Sequence, residues 1–293
     1  MICTVRHITD CITGNMGTAI LSGILDATET TPGPISQFTA CVKSSVSRLE
    51  TTLQHNRERV QILSNQNIRA VQEADIIVLG FKPYMLNAVL GEDGMVDAIR
   101  GKLVISVLAG ISVSQILDKL EEFDKTDSHP ENQPRCHVVR AVPNMGARVR
   151  ESMTIIEEVN PPLPNHLGEI TTWIFDQIGK VQILPAPLMD VATILVATPA
   201  LITIAVDGLL DGAVAEGVSR ANASEIVNQS LLGLSKILAE GVNPSILRES
   251  TSSPRGCTIQ ALLQLERQGV RPAFADAIIK GTEHTKGMGK TQD

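Results

Sequence analysis

The residues best suited to chemistry lie near the N-terminus, in the stretch CITGNMGTAILSG at positions 11–23. Gly14 and Gly17 stand directly before apolar positions at helical spacing, and the amide groups at the beginning of a helix attract phosphate. The common dinucleotide-binding pattern, GxGxxG between a strand and a helix, has three glycines, and here Ile12 replaces the first. On its own, the stretch is compatible with two interpretations: a turn that binds phosphate, or the beginning of a helix that binds no ligand.

The segment that precedes this turn is polar for a strand in the middle of a sheet. VRHITDC contains Arg6, His7, Thr9 and Asp10, whereas a strand buried on both faces is normally a run of apolar residues. The strand that the dinucleotide pattern requires is therefore predicted only weakly.

Basic and hydroxyl residues follow the second predicted strand, in FTACVKSSVSR. At this place an acidic side chain pairs with a ribose hydroxyl, whereas cations accept a ribose phosphate. Lys43, Ser44 and Arg48 are the candidate ligands, and the stretch has no carboxylate, so a bound dinucleotide is expected to be the phosphorylated form. The alternative is a solvated strand end with two ordinary surface cations.

The elements around these residues predict an α/β first half. Short apolar runs alternate with amphipathic segments from Val5 to about Ile183, as in βαβ units around a parallel sheet. SVSQILDKLEEF predicts a helix with Ser112 or Ser114 as its N-cap. The predicted strands lie within residues 74–83, 102–110, 137–144 and 180–185.

The second half predicts helices only. From Leu188 to Ile279 the apolar residues follow helical spacing without a strand pattern. We therefore expect one domain over residues 1–186 and a helical domain over residues 187–293, which begins near Pro187. The last residues, GTEHTKGMGKTQD, predict a frayed polar tail.

Composition excludes several classes of function. A net charge of -7 and an aromatic content of 2% argue against nucleic-acid binding. The five cysteines are scattered without metal-ligand spacing, which favours a reducing cytoplasm and predicts no metal site. No window is expected to reach the apolar length of a membrane span, so we predict no membrane association.

Several motifs, taken in order, give a family resemblance. GNMGTAILSG, ADIIVLGFKP, VISVLAGIS, VRAVPN, LLGLSKIL and SSPRGCTIQALLQLE together resemble pyrroline-5-carboxylate reductase across nearly the whole chain. The resemblance implies a Rossmann-like doubly wound parallel sheet followed by an all-helical C-terminal dimerisation domain. It also implies a homodimer or larger homo-oligomer with active sites between the domains, a small-molecule substrate, and hydride transfer from NADPH, or NADH, to a cyclic imine.

The resemblance carries specific roles to matching positions. Cofactor contacts are implied in the first turn and after two later strands, at Gly14, Asn15, Met16, Gly17, Lys82, Pro83 and Ala109. Substrate contacts are implied in the second domain, at Val196, Thr198, Ser253, Arg255, Gly256, Cys257 and Thr258. Asn144, near the nicotinamide, and Thr258 are the implied catalytic residues. The alternative for Thr258 is a helix N-cap without a ligand.

Three departures from the family pattern bear on the substrate. TILVATPAL (residues 193–201) replaces a glycine- and serine-rich segment with aliphatic residues, which predicts a more apolar pocket. An asparagine-threonine-proline sequence becomes Asn144-Met145-Gly146, and a paired glycine becomes Arg255-Gly256. Neutral drift in a pocket that is no longer needed is the alternative explanation.

Two functions follow from these matches and departures. The first is a reductase that transfers hydride to a cyclic imine other than plain pyrroline-5-carboxylate, in specialised metabolism. The second is a family member that has lost redox activity and serves as a non-redox cyclase or isomerase, or as a binding protein. Ile12 and the polar first strand motivate the second hypothesis.

Overall fold

The computed structural model describes residues 7–11, 14–43, 46–124 and 136–288. Within them, one sheet has eight strands in the spatial order β3-β2-β1-β4-β5-β6-β7-β8. The strands are β1 His7–Cys11, β2 Gln37–Val42, β3 Val60–Ser64, β4 Ile76–Leu79, β5 Leu103–Ser106, β6 His137–Val142, β7 Ser152–Glu157 and β8 Gly179–Leu184.

Neighbouring strands are parallel except for the antiparallel pair of β6 and β7. The chain order reverses between β1 and β4, and such a reversal opens a crevice at the carboxyl edge of the sheet. The doubly wound architecture predicted from the sequence is confirmed, with that one antiparallel pair added.

Helices cover both faces of the sheet, and the cap of one of them matches its prediction. Ser112 caps α6 and accepts a hydrogen bond from the Gln115 amide, which confirms one of the two predicted N-caps. The helices are α1 Asn15–Ala27, α2 Val46–Thr52, α3 Asn67–Glu73, α4 Leu86–Leu90, α5 Met95–Ile99, α6 Val113–Glu122, α7 Asn165–Asp176 and α8 Met189–Leu195.

The remaining helices are α9 Thr198–Ala215, α10 Arg220–Ala239, α11 Pro244–Ser250, α12 Cys257–Arg267 and α13 Val270–Met288. The chain forms two compact units, one with the residues up to Val196 and from Thr282 onward, the other with Ala197–Gly281. The first unit thus includes α8, whereas the predicted boundary after residue 186 remains a prediction.

The central strand β1 is formed in spite of its polar residues, because its buried histidine has partners. The His7 imidazole lies 2.7 Å from the carbonyl oxygen of Glu73 through Nδ1 and 2.7 Å from Thr39 Oγ1 through Nε2. The His7 amide donates to Asp75 Oδ2 at 3.1 Å. A buried polar side chain with its hydrogen bonds made is compatible with a central strand.

Two expectations from the sequence are wrong. The predicted polar tail is helical up to Met288, and Thr285 within it is buried. The side chain of Met288 lies against Gly110, where an added Cβ would be 3.1 Å from the Met288 Cβ. Residues 289–293 lie outside the described residues. In addition, Ala186–Ala215 is long and apolar enough, by length and composition, to cross a membrane. A turn at residues 196–197 separates the two helices within that segment.

A buried ion pair joins the two antiparallel strands. Arg140 Nη1 on β6 lies 3.7 Å from Glu157 Oε2 on β7, and both side chains are nearly inaccessible to solvent. Nε and Nη2 of Arg140 have no hydrogen-bond partner among the described residues. Burial raises the pKa of Glu157, Arg140 opposes that rise, and Asp190 adds to it. The guanidinium therefore favours the ionised form of a buried carboxylate, while two of its own nitrogen atoms lack a partner among the described residues.

We expect Arg140→Met to lower the free energy of unfolding by about 3 kcal/mol near about pH 8, because Glu157 is then a buried carboxylate without its cation. The loss is smaller near about pH 5, because the folded-state pKa of Glu157 is already raised and rises further without Arg140. The carboxyl group then takes up a proton, and the uncompensated charge disappears. Urea unfolding at the two pH values measures the difference.

The double variant Arg140→Met/Glu157→Gln is the matched control, because it removes both charges. Its stability relative to the parent protein should lack the extra loss near about pH 8, because no carboxylate is left without its cation. An equal loss for the single variant at both pH values would show that Glu157 does not depend on Arg140.

Candidate active site

Gly14, the N-cap of α1, lies so close to the end of β4 that this position must be glycine. A Cβ on Gly14 would be 2.8 Å from the carbonyl oxygen of Gly80, a backbone atom that cannot move aside. Gly80 directly follows β4, so this contact lies at the reversal of strand order. Ile12 and Thr13 lie outside the described residues, and the doubt attached to Ile12 stays a prediction.

The first turn of α1 is open to an anion. Gly14 is the N-cap in an extended conformation, no side chain caps the helix, and the first turn contains no acidic residue. The first amide groups of an α-helix have no partner within the helix, and its dipole favours negative charge at that end. A phosphate group therefore fits this turn by ordinary hydrogen bonding.

A cavity of about 320 Å³ adjoins this turn, between α1 and α2. Gly14 and Asn15 line it at the beginning of α1, and Val42 lines it at the end of β2. Arg48 on α2 donates from Nη2 to Asn15 Oδ1 at 3.0 Å, and Arg148 also lines the cavity. The described residues that line this space include two cations and no carboxylate, which favours an anionic ligand.

The other predicted cofactor residues of the first turn differ in accessibility. Met16 is half-buried and packs against the core, and Gly17 is buried. Lys43 is exposed directly after β2, where its carbonyl oxygen accepts a hydrogen bond from Asn65 Nδ2. Ser44 lies outside the described residues. The structure thus brings Gly14, Asn15 and Arg48 together.

Three further predicted cofactor residues follow β4 and β5. Lys82 is exposed, and its carbonyl oxygen accepts from the Met85 amide at 2.9 Å. Pro83 begins the short 3-10 turn Pro83–Met85, and Ala109 is exposed beyond the end of β5. Because β1, β2, β4 and β5 are parallel, these segments all leave the sheet at its carboxyl edge.

Asn144 caps the short 3-10 turn that follows β6, Met145–Val149. Its Oδ1 accepts a hydrogen bond from the Gly146 amide at 2.9 Å, a bond that a proline at this position cannot make. A Cβ on Gly146 would collide with the carbonyl oxygen of Glu151. The Asn144-Met145-Gly146 departure thus forms a turn that a proline at position 146 does not permit, and the side-chain oxygen of Asn144 accepts a hydrogen bond within it.

The predicted anion-binding segment of the second unit is a tight turn between α11 and α12. The Gly256 amide donates to the carbonyl oxygen of Ser253 at 3.0 Å, and Arg255 adopts a left-handed conformation with φ of 61°. Gly256 is the N-cap of α12, and no side chain caps that helix. Cys257 is the first residue of α12 and Thr258 the second, so the alternative of Thr258 as N-cap is wrong.

The two remaining predicted substrate residues lie at the end of α8 and the beginning of α9. Val196 is 7% exposed and packs with Met189 and Ala192 in the core of the first unit. Thr198 is the first residue of α9. Their contact with a substrate stays a prediction, and Val196 is a core residue of its own unit.

Sequence reasoning missed three residues of this site. Gly80 stands in a strand motif that gives no sign of its proximity to Gly14. Gly146 must be glycine because a Cβ there would collide with the backbone of Glu151, which the sequence does not indicate. Arg148 is far along the chain from Arg48, and only the folded chain brings both to one cavity. No local pattern in the sequence marks it.

Comparison with known proteins agrees with this architecture. Residues 186–288 match the family model for pyrroline-5-carboxylate reductase dimerisation, and residues 13–110 match that for NADP oxidoreductase, coenzyme F420-dependent. The chain is 40% identical to a pyrroline-5-carboxylate reductase of Lophium arboricola, over 94% of this chain and 91% of that protein. It is also 40% identical to the enzyme of that name from Neurospora crassa, over 92% and 89%.

A solved structure of Plasmodium falciparum pyrroline carboxylate reductase with NADP bound has the same fold. Its TM-score is 0.80 at 22% identity, covering 97% of this chain and 98% of that one. At this identity the similarity concerns the fold, whereas the sequence relatives above establish the family. The chain belongs to the pyrroline-5-carboxylate reductase family and is a reductase that uses a nicotinamide cofactor.

Proposed function

We propose that this protein uses NADPH to reduce a cyclic imine that carries a carboxylate. The pocket around the ring of this substrate is proposed to be more apolar than one for plain pyrroline-5-carboxylate. The observation that carries the proposal is the uncapped beginning of α1 at Gly14, which adjoins a cavity lined by Arg48. A helix N-terminus beside a cation suits the pyrophosphate and ribose phosphate of this cofactor.

The preference for NADPH over NADH rests on charge. Arg48 faces the cavity and Lys43 is exposed at the end of β2, where an enzyme selective for NADH places a carboxylate. Ser44 belongs to the same proposed set. When bound, the cofactor supplies the hydride that reduces the imine carbon.

The proposed substrate contacts lie in the second unit. The amide groups at the beginning of α12 and the hydroxyl group of Thr258 suit a carboxylate, because no side chain caps that helix. Ser253, Arg255, Gly256 and Cys257 complete the turn. Ile194 and Leu195, which directly precede the buried Val196 in the chain, are the residues proposed to supply the apolar character that motivates an altered ring.

Two residues have proposed catalytic roles. The side-chain oxygen of Asn144 already accepts a bond from Gly146, which leaves its Nδ2 group to donate to the nicotinamide end of the cofactor. Thr258 Oγ1 orients the substrate carboxylate. Positioning of this kind accounts for a large part of the rate in a reaction whose hydride comes from the cofactor.

The proposed assembly is a homodimer, or a larger oligomer built from it, in the cytoplasm. Among the described residues of α9, α11 and α12 none is buried, and α9 exposes Ile204 and Leu209. Apolar faces of this extent are normally covered by another subunit. The match of residues 186–288 to a dimerisation model supports a second copy of this chain as the cover.

The assay that tests this function mixes the purified chain with NADPH and a series of cyclic imines. We expect NADPH oxidation with ring imines that carry a carboxylate, such as pyrroline-5-carboxylate and its six-membered counterparts. Oxidation should be much slower with 1-pyrroline, which lacks the carboxylate that α12 would hold. The six-membered substrates should be favoured, because the pocket is more apolar.

A protein that binds NADPH but reduces none of these imines would support the non-redox alternative. A protein that does not bind NADPH at all would overturn the cofactor assignment as well. Ile12→Gly then decides whether the missing glycine is the cause, because it should restore affinity if Ile12 impairs the turn.

A second prediction concerns the turn itself. Gly14→Ala should weaken NADPH binding by at least about tenfold, because the added Cβ meets the backbone oxygen of Gly80 and displaces the turn. Fluorescence titration of the reduced nicotinamide measures the affinity.

Gly168→Ala on α7 is the matched control, because a Cβ there meets nothing within 4 Å. It should leave NADPH affinity unchanged and stabilise the fold by about 0.5–1 kcal/mol, since alanine is the better helix former. Unchanged affinity in Gly14→Ala would show that the cofactor does not use this turn.

A further inference from the structure

We propose that Arg148, in the turn after β6, is a second ligand for the phosphate on the adenosine ribose and helps the protein to select NADPH over NADH. The inference rests on the proposed function, which assigns the dinucleotide to the turn at Gly14. The proposal adds Arg148, which follows β6, to a phosphate site that the sequence predicts only at the end of β2.

The first step of the argument is the shared cavity. Arg48 approaches it from α2, and Arg148 approaches it from the turn Met145–Val149, so the two cations come from separate elements. Thr18 and Ser22 of α1 add hydroxyl groups to the same cavity, and none of its lining residues in the described part of the chain carries a carboxylate. A dianionic phosphate balances two guanidinium groups, whereas a neutral ribose hydroxyl leaves them uncompensated.

The second step is that the backbone around Arg148 is held firmly. Asn144 Oδ1 accepts from the Gly146 amide at 2.9 Å, and the Glu151 amide donates to the carbonyl oxygen of Gly146 at 2.9 Å. Ala147 is 1% exposed, and its carbonyl oxygen lies 3.6 Å from where a Cβ on Gly23 would be. The turn therefore packs directly on α1.

The third step is that the Arg148 side chain is uncommitted. It is exposed, and among the residues that the structure describes it makes no hydrogen bond or ion pair. By contrast, the nearby Arg150 donates from Nε to the carbonyl oxygen of Gln177 at 3.0 Å. A guanidinium without a partner among the described residues, on a fixed backbone beside this cavity, is available to a phosphate, and the fixed backbone restricts the ordering cost to the side chain.

The test uses 2′,5′-ADP, which carries the ribose phosphate but no nicotinamide, and ADP, which lacks that phosphate. Calorimetry with the full chain should show that the parent protein binds 2′,5′-ADP more tightly than ADP. Arg148→Ala should weaken 2′,5′-ADP binding by about tenfold and leave ADP binding unchanged, as expected for one charged hydrogen bond. Arg148→Lys keeps the charge but loses the planar fork of the guanidinium group. Its affinity for 2′,5′-ADP should lie between that of the parent protein and that of Arg148→Ala.

Arg69→Ala is the matched control. Arg69 is an exposed arginine on α3, paired with Glu73, and its loss changes the net charge by the same amount. Any general effect of net charge on anion binding therefore appears in both variants, and only the local effect separates them. The Arg69 variant should bind 2′,5′-ADP as the parent protein does.

Two results would overturn the proposal. One is an equal loss, or no loss, of 2′,5′-ADP and ADP affinity in Arg148→Ala. The other is binding of inorganic phosphate that depends on Arg148 while 2′,5′-ADP binding does not, which would make the cavity a site for a free anion. Failure of the imine assay leaves this titration intact, because neither probe contains a nicotinamide, so the two failures are distinguishable.

Discussion

The contact between Gly14 and the carbonyl oxygen of Gly80 is the constraint on which the site depends. At 2.8 Å from a hypothetical Cβ, that oxygen leaves no room for any side chain. The contact sets the turn before α1 against the end of β4, where the strand order reverses. The beginning of α1 and the segment of Lys82 and Pro83 consequently lie at the same edge of the sheet, where a dinucleotide binds in this class of fold.

The second half of the chain depends on a different interaction. The first unit buries its own core on both faces of a sheet, and the described helices of the second unit leave most of their apolar residues exposed. Such a unit gains stability when another subunit covers it, as the proposed dimer does. Its tight turn at Ser253–Gly256 needs no subunit contact, because the Gly256 amide closes it on the carbonyl oxygen of Ser253.

Local patterns predicted much of the fold, and long-range packing accounts for the rest. Continuous apolar runs predicted β4 and β5, and a serine before apolar residues at helical spacing predicted the cap of α6 as Ser112 or Ser114. The helical end of α13 was missed because its residues are polar, although Thr285 is buried there. The Gly14 turn was predictable as a motif, whereas Arg148 was not, since its approach to the cavity depends on how the turn after β6 packs on α1.

The central claim is that the turn with two glycines still binds a reduced, phosphorylated dinucleotide. Calorimetric titration of the unmodified full chain with NADPH tests it most directly. The account predicts saturable binding of one NADPH per chain, and weaker binding of NADH. Absence of saturable binding would contradict it.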